Sequence, residues 1–276
     1  MQLKKLVTKL KKSLTKKKII ISIFILLIAC ILLIHYEFPI LKYCITKEKV
    51  YENIAPVNLH GKTVFISDMH LEEKHLEGGG SFPVNLPDNT ENLVIVGDLF
   101  DSPEFFNKLA GEENNISKPF CTSLKFINNP PRDIYFIIGT PGHDPEFLAG
   151  PEFSNYEVTC SNSTIHIAGR LAIFEIDGLN VAAHHGDYIA DGFVNCVISY
   201  FSKKLGKPLI LERSWKGAIS LNEDYWLITG HSHIPAVDYE HRVANPGAWV
   251  PVPIIGGDLK NILIVKNRNV TLMKLN

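Results

Sequence analysis

The sequence predicts an α/β domain built of two packed sheets with helices outside, preceded by one apolar segment near the N-terminus. Three observations predict it. Strand-like apolar runs alternate with helical stretches in the first half of the domain, short strands crowd the second half, and several of the runs stop at a carboxylate or an imidazole.

Those endings carry the argument about function. Val64–Ser67 runs into Asp68-Met69-His70, and Leu93–Val96 into Gly97-Asp98. Ile134–Ile138 runs into Gly139-Thr140-Pro141-Gly142-His143-Asp144, Val181–Ala183 into His184-His185-Gly186-Asp187, and Tyr225–Thr229 into Gly230-His231-Ser232-His233. In an α/β sheet the loops beyond the carboxyl ends of the strands form the crevice where ligands sit, so these endings are expected to converge.

Taken in order, residues 1–18 form a basic head with eight lysines and no acid, leaving 20 basic against 29 acidic residues in the remainder. An acidic domain lacks the clustered Lys and Arg that phosphate-backbone affinity needs, so no nucleic-acid partner is expected. Ile19–Ile34 is apolar throughout apart from Ser22, Ala29 and Cys30, and with Tyr36 at its outer edge it reads as a transmembrane anchor over 19–36. A signal peptide would have a shorter apolar core and a small-x-small cleavage site. Leu27-Ile28-Ala29-Cys30 has the form of a lipoprotein box, but the apolar run continues past it. The lysines keep the N-terminus in the cytoplasm and place the rest outside. Acceptor sequons at Asn115, Asn162 and Asn269, and four cysteines after the span (Cys44, Cys121, Cys160, Cys196), are compatible with that side, although no spacing identifies a disulfide pair.

Residues 37–58 read as a linker interrupted by Pro39 and Pro56, and the folded domain runs over 59–276. Loop chemistry dominates from Leu71 to Asn92. Helices are predicted over Glu104–Ala110 and over Ser117–Asn128, the latter with Phe120, Leu124 and Ile127 on one face. Strands follow at Thr164–Ile167, Leu171–Ile176 and Leu179–Ala183, with Asp177-Gly178 as a hairpin turn. Gly192–Leu205 reads as a helix with a stripe of Phe193, Val197, Ile198, Phe201 and Leu205, and Val243–Asn245, Asn261–Lys266 and Val270–Leu275 close the chain as strands.

Asp68, His70, Asp98, His185, His231 and His233 offer two carboxylates and four imidazoles, too many donors for one tetrahedral ion. Two divalent ions are the economical reading, and mixed oxygen and imidazole donors suit manganese, iron or zinc. Such a pair would polarise a substrate oxygen, supply hydroxide near neutral pH and clamp an in-line displacement. Any one of these residues alone is more often a turn, cap or packed side chain. Their joint order after five apolar runs reverses that.

Asp68-Met-His70, Gly97-Asp98-Leu-Phe-Asp101, Gly142-His143-Asp144, His185-Gly186-Asp187, Gly230-His231-Ser-His233 and Asn245-Pro246-Gly247 together resemble the calcineurin-like metallophosphoesterase superfamily from about residue 61 onward. The resemblance implies a four-layer α/β/β/α sandwich and a metal-dependent phosphoric ester hydrolase acting on phosphomonoesters, phosphodiesters or pyrophosphates. It implies Asp68, His70 and His233 on one metal, His185 and His231 on the other, and Asp98 bridging. His143 would steady developing negative charge or protonate the leaving oxygen. No substrate-binding residue is assigned.

The chain departs from the family at Gly-Asn-His-Asp, whose Asn ligates the second metal. Here Gly142 precedes His143; alternatively Gly139 is the aligned glycine and Thr140 stands in the asparagine's place as a substitute ligand. Gly-Asp-Leu-Phe-Asp, His-Gly-Asp and the helical stretch after Asp187 are most similar to UDP-diacylglucosamine pyrophosphatase-type members, which implies a lipid-linked substrate and Phe193–Leu205 as a cap. That group carries arginine where His143 stands. A degenerate binding scaffold and a nuclease-type phosphodiesterase are the alternatives.

Overall fold

The computed structural model describes residues 54–76, 83–189, 192–251 and 258–275. The basic head and the candidate anchor over 19–36 lie outside these residues, and among the described residues no helix is long and apolar enough to cross a membrane.

In chain order the strands are β1 (Val57–Leu59), β2 (Thr63–Ile66), β3 (Val84–Asn85), β4 (Asn92–Val96), β5 (Ile127–Asn128), β6 (Asp133–Ile137), β7 (Glu157–Cys160) and β8 (Ser163–Ile167). They continue with β9 (Leu171–Ile176), β10 (Leu179–His184), β11 (Trp226–Ile228), β12 (Ala236–Asp238), β13 (Val243–Asn245), β14 (Asn261–Lys266) and β15 (Asn269–Lys274). The helices are α1 (Glu73–Leu76, a single turn), α2 (Pro103–Ala110), α3 (Ser117–Ser123), α4 (Gly192–Lys204) and α5 (Ile210–Ala218). One mixed sheet has the order β15-β14-β2-β4-β6-β8-β7 and the other β1-β9-β10-β11-β13-β12; β3 and β5 pair separately.

Period-two alternation assigns each side chain to a layer. In β2, Val64 and Ile66 face a core shared with Leu93, Ile95, Phe136 and the helix residues Phe106 and Phe120. Phe65 faces the other way, into a second core with Val94, Val96, Phe174, Val181 and Ala183. A third core lies beyond the second sheet, where Ala182 and Leu227 meet Leu211 and Trp215. Three apolar cores between four layers make the α/β/β/α sandwich. Strands buried on both faces explain why their sequences are unbroken apolar runs rather than alternating ones.

Turn chemistry fixes the hairpins. Asp177 and Gly178 have φ of 48° and 78°, the left-handed pair that a tight β9–β10 hairpin requires, and Asn267-Arg268 do the same between β14 and β15. Helix α2 starts at Ser102, whose hydroxyl accepts from the Phe105 amide, with Pro103 in the first turn.

Two expectations need correction. The helix predicted over Ser117–Asn128 ends at Ser123; Leu124–Phe126 tightens into a 3-10 turn, and Ile127–Asn128 becomes β5, pairing with β3. Asn129 leaves the helical region with φ 51°, just before Pro130, and sheet pairing takes the two residues ahead of it. The domain also begins earlier than residue 59, because Val57–Leu59 pairs in parallel with Phe174–Ile176 as an edge strand. Helix α4 forms where the sequence predicts it. Its buried face is Asn195, Cys196, Ser199 and Ser202, while Phe193 and Phe201 are each 58% exposed and Leu205 80%. Small side chains let α4 sit close to its neighbours, and its polar groups bond within the helix: Ser199 Oγ to Asn195 Oδ1 at 3.1 Å, Ser202 Oγ to the Ser199 carbonyl at 3.0 Å.

Cys121 and Cys160 form a disulfide that ties α3 to β7, and Cys196 is a buried free thiol.

Candidate metal centre

The ends of β2, β4, β10 and β11 bring all six sequence-predicted donors into one place. His185 Nε2 lies 3.0 Å from Asp98 Oδ2 and 3.8 Å from Asp68 Oδ1. His233 Nε2 is 3.2 Å from Asp68 Oδ1, His70 Nε2 is 3.9 Å from Asp98 Oδ2, and His231 Nδ1 is 3.2 Å from His185 Nε2. The donors fall into two sets, Asp68 with His70 and His233, and Asp98 with His185 and His231, each with its ligand atoms within 4.8 Å of one another. Asp98 faces both sets.

Strained backbone aims these groups. Asp68, His70, Asp98, His231 and His233 all have positive φ, between 44° and 62°. Left-handed backbone in a residue with a side chain costs roughly 1–3 kcal/mol and persists only where the surroundings dictate it. Here each strand must stop and turn its side chain back over the sheet edge. Gly97 permits the crowding: a Cβ there would sit 2.5 Å from His185 Nδ1 and 2.7 Å from Gly139 Cα. Gly230 does the same, since its Cβ would lie 2.7 Å from Asp68 Oδ2.

Hydrogen bonds outside the donor sets hold the loops. His185 Nδ1 donates to the Val96 carbonyl at 2.9 Å, which leaves Nε2 as the inward-facing nitrogen. Both oxygens of Asp68 accept the His231 amide, at 3.1 and 3.0 Å. Asp144 accepts four amides, from Asp98 and Gly139 at 2.8 Å, Leu99 at 3.1 Å and Phe100 at 3.3 Å, and so clasps two donor-bearing loops together. Asn245 Nδ2 donates to the Gly230 carbonyl at 2.6 Å and to Ser232 Oγ at 3.0 Å. The clasping parts of Asp144 and Asn245 escape a sequence reading that searches for donors; the only signal was their place in Gly-His-Asp and Asn-Pro-Gly.

Electrostatics follow from burial and proximity. Burial opposes the Asp68 charge, but His233 and His185 outweigh it and hold the carboxyl below its ordinary range. Burial likewise opposes the Asp98 charge, and His185 overcomes it. Burial would lower His185, yet Asp98 and Asp68 raise it well above an ordinary histidine; Asp68 does the same for His233. His70 is pushed down to about 4, chiefly by burial, and burial with the nearby His185 lowers His231. Two carboxylates against four crowded imidazoles form a set that cations can replace protons in. The buried Nε2 of His70 has no hydrogen-bond partner, as a nitrogen reserved for a metal would not. The residues fit divalent metal ions.

Thr140 and His143 complete the site. Thr140 Oγ1 is 3.2 Å from Asp98 Oδ2 and 3.5 Å from His231 Nδ1. Gly142 is exposed, and a Cβ there would meet nothing within 4 Å. Of the two candidate positions, Thr140 is the one whose side chain reaches the donor sets, and Gly139 is buried and bonded to Asp144. His143 Nδ1 donates to the Asp101 carbonyl at 2.6 Å, and its Nε2 lies 4.0 Å from Asp98 Oδ2. His70, Asp98, Thr140, His143, His231 and His233 line a cavity of about 910 Å³, walled on one side by Gly192, Phe193 and Cys196 of α4.

The donor sets and a partial sequence likeness are in keeping with the resemblance to calcineurin-like metallophosphoesterases. Over 130 residues the chain is 27% identical to UDP-2,3-diacylglucosamine hydrolase of Marinobacter nauticus, covering 45% of this chain and 47% of that protein. The chain thus spans about half the length of the curated relative it matches. No protein-family profile matches it. Among solved structures it is similar to a conserved uncharacterized protein described as a predicted phosphoesterase from Streptococcus pneumoniae TIGR4, at 12% identity over 77% of this chain and 87% of that one, with a TM-score of 0.34. It is also similar to Vps29 of Entamoeba histolytica complexed with zinc, at 11% over 78% and 98%, TM-score 0.32. A cold-active protein-tyrosine phosphatase of Shewanella matches at 11% over 83% and 84%, TM-score 0.32. Scores this low assign no function.

Proposed function

We propose that the chain is a membrane-anchored, metal-dependent phosphoric ester hydrolase with a dinuclear centre, acting on a lipid-linked pyrophosphate or phosphodiester. One observation carries this reading: two sets of donors share Asp98 at the floor of a cavity that also holds His143.

Asp68, His70 and His233 would hold one divalent ion, His185 and His231 the other, with Asp98 between them and Thr140 in place of an amide ligand. When bound, the ions supply Lewis acidity toward a phosphoryl oxygen and a nucleophile from water near neutral pH. The chain's own residues do the rest. The Asp101 carbonyl accepts the His143 Nδ1 proton and leaves Nε2 as the nitrogen facing the donor sets, from which the ring, when doubly protonated, would give a proton to the leaving oxygen. Asp144 keeps the loops of Asp98 and His143 in register through its four amide bonds.

The anchored reading draws on the lysine-rich head and on Ile19–Ile34. The Cys121–Cys160 disulfide supports a domain outside the cytoplasm, where such bonds persist. Similarity to UDP-2,3-diacylglucosamine hydrolase favours a lipid-linked substrate. The acidic domain disfavours a nuclease. Thr140 in the asparagine's place favours a second reading, a scaffold that keeps the fold but has lost turnover. Full-length protein in detergent, given manganese and a nitrophenyl phosphodiester, should hydrolyse it, and Asp98→Ala should abolish the activity. An inert wild type that binds no metal favours the scaffold.

A further inference from the structure

Helix α4 is built inside out for a water-facing helix. Its buried side carries Asn195, Cys196, Ser199 and Ser202, with Ile198 and Tyr200 packed beside them, and its outer side carries half-buried Val197 and exposed Phe201 and Leu205, four residues apart along one stripe. The turn continues to Leu205, whose amide donates to the Phe201 carbonyl at 3.0 Å. A soluble surface helix shows the reverse pattern, and contiguous exposed apolar stripes mark an interaction surface. At the end of the stripe stand Lys203, Lys204 and Lys207, all exposed, and residues 192–211 contain no acid in a domain that is otherwise acidic.

We infer that the outer face of α4 docks on an anionic bilayer surface. The inference rests on the anchored reading proposed above. Residues 35–53 join the apolar run to the first described residue, a tether that reaches at most roughly 65 Å at full extension and so keeps the domain beside the membrane. Aromatic and aliphatic side chains on one face, flanked by lysines and free of acids, are what an interfacial helix needs: apolar groups enter about 5–10 Å into the headgroup boundary, and lysines pair with lipid phosphate. The N-terminal end of α4 walls the metal-site cavity through Gly192, Phe193 and Cys196. Docking the stripe therefore sets the cavity mouth at the lipid surface, where a lipid-linked phosphate would arrive.

The test places a reporter on the stripe and reads its surroundings rather than activity. Full-length Phe201→Trp is reconstituted in nanodiscs of phosphatidylcholine and phosphatidylglycerol with dibrominated acyl chains. The three native tryptophans, Trp215, Trp226 and Trp249, are buried and give the wild-type baseline. Docking predicts a blue-shifted added emission that bromine quenches beyond that baseline, and a loss of this quenching with Lys204→Glu/Lys207→Glu. Protein that co-elutes with the discs while residue 201 emits as in water overturns the docking and leaves the anchor standing. A blue-shifted but unquenched emission from discs holding two chains also overturns it, in favour of a second copy on the stripe. A chain that does not co-elute with the discs overturns the anchor and the docking together.

Discussion

Thr140 donates both its amide and its hydroxyl to Asp98, at 2.7 and 3.2 Å. This one side chain binds the carboxylate that lies between the two donor sets, and in the proposed centre it stands in for the amide ligand. A hydroxyl is a weaker and shorter donor to a cation than an amide oxygen, so in the proposed centre the second ion would be held by fewer strong ligands. Thr140→Asn should tighten the weaker metal site on the order of tenfold, as judged from changes around metal sites generally, while Gly142→Asn should leave it unchanged. Calorimetric titration of each variant with manganese checks both; an unaltered affinity in Thr140→Asn would remove Thr140 from the site.

Gly97→Ala should damage both stability and metal binding. The added Cβ meets His185 Nδ1 and the Gly139 backbone, neither of which can yield, on a backbone at φ 74°. A loss of roughly 1–3 kcal/mol in unfolding free energy is expected for the strain alone. Urea denaturation measures it, and a variant as stable as wild type would contradict the packing described.

Glu212 predicts a pH dependence. It is fully buried on α5, and burial pushes its carboxyl up to about 7 from an ordinary 4.5, against the opposing pull of Ser232 and Arg213. A raised acid keeps its proton in the folded chain while the unfolded chain gives it up. Its stability contribution is therefore full below pH 4.5, falls between 4.5 and 7 as only the unfolded chain ionises, and is constant above that. The shift corresponds to roughly 3 kcal/mol. Glu212→Gln should be more stable than wild type by up to that amount at pH 8, with the gain shrinking to nothing near pH 4. Denaturation midpoints at the two pH values decide it.

The disulfide closes a loop between residues 39 apart, for which the chain-entropy relation gives about 4 kcal/mol. Cys121→Ser/Cys160→Ser should lower the unfolding free energy by an amount of that order without changing metal stoichiometry. An equal stability of the two forms would show that the bridge is idle.

What the sequence made legible was local. Asp68, His70, Asp98, His185, His231 and His233 each follow a strand whose apolar run is its own signal, and the topology of parallel strands then brings their ends together. Long-range pairing was not legible. Nothing near Cys121 names Cys160, and the edge strands β1, β7 and β12 are short and draw their pairing from neighbours rather than from a period. Nor did the periodicity of α4 say which face turns inward: the stripe of Val197, Phe201 and Leu205 was visible, but only packing against its neighbours shows that Asn195 and Ser199 lie beneath. That Thr140 rather than Gly142 lies beside the Asp98 carboxylate could likewise be read only in space.

The claim on which the account depends is that these six side chains bind two cations. Anomalous diffraction at the manganese edge from crystals soaked in manganese tests it directly. The account predicts two peaks, one among Asp68, His70 and His233 and a weaker one among Asp98, His185 and His231 beside Thr140. No peak at either position, with the six side chains arranged as described, would contradict it.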